Sequence, residues 1–123
     1  MSDQEDRMRN MFREHLEATY RTIIAVCNLL PVPISLPDRE ADILERIEAV
    51  GRAAELITEQ PLPEEPKISA ELLCHQWVAA AELSILDQVE PRRHRIHSAS
   101  VVLVTGHQAG LEAMMWFRNQ REG

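Results

Sequence analysis

The chain has 123 residues, 45% of them hydrophobic, 27% charged and only 4% aromatic, with a net charge of -7. That size suits one domain around one core, and a core built from Leu, Ile, Val, Ala and Met suits helices better than sandwiches or barrels. The first ten residues alternate charges and methionines in a way no signal peptide does, and no apolar run reaches the ~18 residues of a membrane span.

A cytoplasmic protein is therefore expected, with Cys27 and Cys74 as reduced, buried thiols on apolar stripes. Twelve arginines against the single Lys67 suggest a GC-rich bacterial source. Charge is uneven. Residues 1–37 carry four arginines and five acids, residues 38–90 four basic and thirteen acidic side chains, and residues 91–123 five arginines and two acids. An acidic middle and a basic end can attract each other within one copy or between copies.

Ser2 and Glu5 form a capping box, so the first predicted helix starts near residue 3 and runs to about residue 30. Met8, Phe12, Leu16, Thr19 or Tyr20, Ile23, Cys27 and Leu30 recur at steps of three and four along it. Pro31 and Pro33 end it. The second helix is predicted over 38–59, with Ile47, Val50, Ala54 and Ile57 inward and Gly51 either allowing a close neighbour or merely tolerated. Gln60 to Pro66 reads as a proline-stiffened connector.

The third helix, predicted over 70–86 with Ser69 as its cap, is apolar or small over most of its circumference and should be central. The fourth is predicted over 91–120, with a start at Pro91 or Ser98 left open by the arginines between them. Val101, Val102 and Val104 have strand propensity, but Ile96, Ala99, Leu103, Gly106, Gly110, Met114 and Phe117 keep a helical period. Four amphipathic segments with short joints predict an all-α, antiparallel up-down-up-down four-helix bundle, one domain over residues 1–123.

No familiar catalytic arrangement is present. Residues three before His15, His75 and His107 are Phe12, Leu72 and Val104, so the Glu-x-x-His pairs of carboxylate-bridged bundles are missing. No His-Glu-x-x-His, nucleophile elbow or phosphate loop occurs either. The sequence thus singles out no catalytic, cofactor-binding or metal-ligating set and predicts no resident cofactor. His15 and His107 are the one pair that could meet across two helices. Arg92, Arg93, His94, Arg95 and His97 form the only basic cluster, a third-ranked site for nucleic acid in a chain acidic overall.

The last helix carries a second apolar stripe about 100° from its core stripe. Val102, Ala109, Ala113, Met115 and Trp116 are the residues predicted to bind a partner, since Trp and Met are enriched at protein interfaces. The functional expectation is an adaptor, inhibitor or regulatory subunit that acts by protein contact and self-associates as a homodimer. The alternative is a bundle that binds a small molecule or metal, with or without catalytic activity.

Overall fold

The computed structural model describes residues 3–122. They form four helices, α1 Asp3–Leu29, α2 Ile43–Thr58, α3 Glu64–Val89 and α4 Arg93–Glu122, with no strand among the described residues. The fold is an all-α four-helix bundle. Ser2, half of the expected capping box, lies outside the described residues.

Two helix starts fall where side-chain chemistry puts them rather than where periodicity does. Asp38 does not open α2. Its carboxylate accepts from the Glu40 amide (2.9 Å) and its carbonyl from the Ala41 amide (2.9 Å), a turn that hands the cap to Asp42. Asp42 then accepts from the Leu44 amide at 3.0 Å. α3 begins six residues earlier than Ser69 would place it, because Pro66 falls in the first turn, where amide protons have no helical partner. Glu64 and Glu65 complement the positive end of that helix. α3 also runs on to Val89, leaving only Glu90 to Arg92 as a joint before α4.

The valines of Ser100 to Thr105 lie inside α4. The flanking hydroxyls fit the helix by donating back to carbonyls four residues earlier, Ser100 to Ile96 (2.8 Å) and Thr105 to Val101 (3.2 Å).

α2, α3 and α4 alternate in direction. The segment between α1 and α2 instead walks back along α1 before α2 sets off. The Ile34 amide donates to the Cys27 carbonyl (3.1 Å), the Tyr20 hydroxyl donates to the Pro37 carbonyl, and Arg46 reaches Glu17. At the far end Gln60 exchanges two hydrogen bonds with the backbone of Val32, at 3.0 and 2.9 Å. α1 and α2 therefore point the same way, and α3 lies antiparallel to each of the other three helices.

α3 is the centre of the packing and touches α1, α2 and α4. Leu73, Cys74, Trp77, Ala80 and Ala81 are buried, with the Trp77 indole donating to the Leu16 carbonyl at 3.0 Å and its ring 5.1 Å from that of Tyr20. The helix still keeps an open side, where Ile68, Leu72 and Leu86 are exposed. No helix of the described residues is long and apolar enough to cross a membrane.

Candidate functional site

α4 is apolar on two sides, and the structure separates them by what they touch. Ala109 and Ala113, predicted as partner-binding, are 5% and 0% exposed. They are therefore not part of a free surface. Small side chains on this side let α4 lie close against α3. A Cβ at Gly106 would sit 2.8 Å from Cβ of Gln76, and one at Gly110 would meet Leu73 and Thr22 at 3.1 Å. Val102 and Trp116, also predicted to bind a partner, are half-buried against the core, with Trp116 edge-on to Phe117 at 5.1 Å. Ser69 adds a bond from its hydroxyl to Glu112 (3.4 Å). The second stripe thus belongs mainly to the α3–α4 seam.

Met115 alone of the five predicted residues is exposed, and it belongs to a different set. Val101, Val104, Leu111 and Met115 are 49–68% exposed and share one outer face of α4. They are placed almost symmetrically about the exposed Gln108, seven and four residues before it and three and seven after it. In sequence these residues are interleaved with the core stripe, which hides them from a reading by periodicity alone.

The histidines sort as sharply. His75, His94 and His97 are exposed. His15 on α1 and His107 on α4 do meet, edge to face, with ring centroids 5.3 Å apart. Burial, and then the neighbouring His107, lower the His15 pKa below the ordinary imidazole value. Nδ1 of His107 is buried without a hydrogen-bond partner. A groove of about 600 Å³ opens beside the pair, lined by Met8, Met11, His15, Ser100 and Val104 among others.

The arginine cluster is largely occupied at the α3–α4 joint. Arg92 pairs with Glu90, and Arg95 donates to the carbonyls of Glu90 and Leu86. Arg93 and His94 face solvent. Sequence reasoning missed two buried arginines that tie the helices together. Arg46 of α2 forks onto both carboxylate oxygens of Glu17 (3.0 and 3.1 Å) and lies 5.0 Å from the Tyr20 ring centroid. Arg9 of α1 forks onto Asp87 of α3. Both thiols are free, and burial pushes Cys27 up to about 11 and Cys74 further, which keeps both protonated at neutral pH.

No protein-family model, curated protein or solved structure matches the chain.

Proposed function

We propose that this protein acts by protein contact, as a small cytoplasmic adaptor or regulatory subunit, and that the outer face of α4 is its docking surface for a second copy. One observation carries the reading. Four large apolar side chains, Val101, Val104, Leu111 and Met115, stand exposed on one helix face. Large apolar groups gathered in water are what soluble monomers mostly avoid.

The occupant follows from the spacing. In a twofold interface the same patch meets itself, so residue i touches j and j touches i. Two α4 helices crossing antiparallel at Gln108 would set Val101 against the partner's Met115 and Val104 against the partner's Leu111. Gln108 at the centre carries both a donor and an acceptor, so its amide can pair with its own copy.

Sedimentation velocity over a concentration series tests this. The protein should sediment as a dimer at micromolar concentration and Leu111→Glu as a monomer, with the helical spectrum unchanged. A wild-type monomer throughout, or a dimer indifferent to Leu111→Glu, would rule the surface out.

A further inference from the structure

The seam between α1 and α4 holds a second feature, which adjoins the outer face of α4 at Val104. His15 and His107 bring two imidazoles together from different helices, and Nδ1 of His107 is buried with no partner. A buried polar nitrogen left unpaired is unfavourable, so an occupant that fills its lone pair would be held there. One turn before His15 on the same face stands Met11, 66% exposed, and one turn before that Met8, both lining the groove beside the pair. An exposed thioether beside two imidazoles packed edge to face makes a soft donor set.

We propose that His15 and His107 bind a single copper(I) ion between α1 and α4, with the thioether of Met11 as a third ligand. The choice of ion follows from the softness of the donors. Thioether and imidazole together favour copper(I), whereas zinc sites draw on four donors from Cys, His, Asp and Glu. Glu14 lines the same groove. Yet among the described residues no three His, Cys, Asp or Glu side chains are gathered as a metal would need. Arg21 lines the groove as well, so the groove brings the ion no net charge, and the thioether decides between the two metals. The usual sequence spacings are missing because the nitrogens come from two helices and the sulfur is not a residue those patterns count.

The test is an anaerobic titration of the full chain with copper(I) held by the chromophoric chelator bicinchoninate. The protein should withdraw one equivalent of copper, and the imidazole nitrogen NMR signals of His15 and His107 should both shift. His107→Gln and His15→Gln should abolish the withdrawal, and Met11→Leu should weaken it about tenfold or more while folding normally. Zinc(II) titrated in parallel should bind far more weakly. Should the histidine variants fail to fold, the wild-type nitrogen shifts and Met11→Leu decide. Failure to withdraw copper, withdrawal without those shifts, indifference to Met11→Leu, or zinc binding as tightly as copper would each overturn the assignment.

Discussion

Arg9 and Asp87 are 78 residues apart in the chain and share a buried fork, Nε to Oδ2 at 2.7 Å and Nη2 to Oδ1 at 3.3 Å. Oδ1 of the same carboxylate also accepts from the Arg92 amide at 3.0 Å, just before α4 begins. One side chain therefore fixes the start of α1 to the end of α3 and sets the direction in which α4 leaves. Removing it leaves the buried guanidinium with the looser pairing to Glu5 at 3.6 Å, so Asp87→Ala should cost about 1–3 kcal/mol in urea unfolding at neutral pH.

The same pair makes stability depend on pH. The hydrogen bond from Arg9 holds the Asp87 carboxyl below its ordinary value of 3.8. A depressed folded pKa contributes stability that is complete above the unfolded value and lost as pH falls through the folded one. Unfolding midpoints should therefore drop below about pH 4, and the part of that drop due to Asp87 should vanish in Asp87→Asn, whose midpoint starts lower. Parallel wild-type and Asp87→Asn curves across that range would show that the pair does not govern acid unfolding.

Trp77 is the largest fully buried side chain, and its indole N–H is bonded to the Leu16 carbonyl. Trp77→Ala should destabilise by about 3–5 kcal/mol. A loss under about 1 kcal/mol, by chemical unfolding with an unchanged slope, would mean that α3 is not the centre of the packing.

The glycines give two substitutions of opposite sign. A Cβ at Gly51 would meet nothing within 4 Å, so Gly51→Ala should stabilise by about 0.5–1 kcal/mol through helix propensity and unfolded-state entropy. At Gly106 a Cβ would press on the side-chain root of Gln76, and Gly106→Ala should destabilise by about 1 kcal/mol or more despite the same gain in propensity. Thermal melts of the two variants should move in opposite directions.

Much of this fold was legible because the period of apolar residues is a local property. The stripe from Phe12 to Leu30 and the centrality of the helix around Trp77 could be read directly, and so could the helical state of Val101 to Val104. What escaped depends on distance. Arg9 and Arg46 are charged residues on helices, and nothing near them in sequence announces that Asp87 and Glu17 will meet them inside the bundle. The up-down-up-down order expected of the first two helices fails for a related reason. The prolines between them show where α1 stops, but the return along α1 is set by contacts such as Tyr20 with Pro37. The candidate site was half legible. Two apolar sides of α4 were visible, but a stripe of Ala and Trp is equally suited to a seam and to an interface, and only the position of α3 separates the two.

That separation gives the last prediction, in which one helix carries substitutions with opposite consequences. Ala113 is fully buried, so Ala113→Glu would place an unpaired carboxylate within the packed core. Such a change should cost more than about 4 kcal/mol and abolish the cooperative melt. Trp116 is half-buried against Phe117, and Trp116→Glu should fall between the extremes, losing packing without burying a whole charge. Val101 lies 68% exposed on the outer face, where Val101→Glu should leave the melting of the monomer within about 0.5 kcal/mol of wild type. If the outer face holds a second copy, Val101→Glu should nevertheless reduce the dimer population at fixed concentration, because its partner position, Met115, is apolar. Urea unfolding at low concentration measures the first quantity and sedimentation the second. A Val101→Glu variant that unfolds like Ala113→Glu would place both faces in the core and leave α4 without a docking surface.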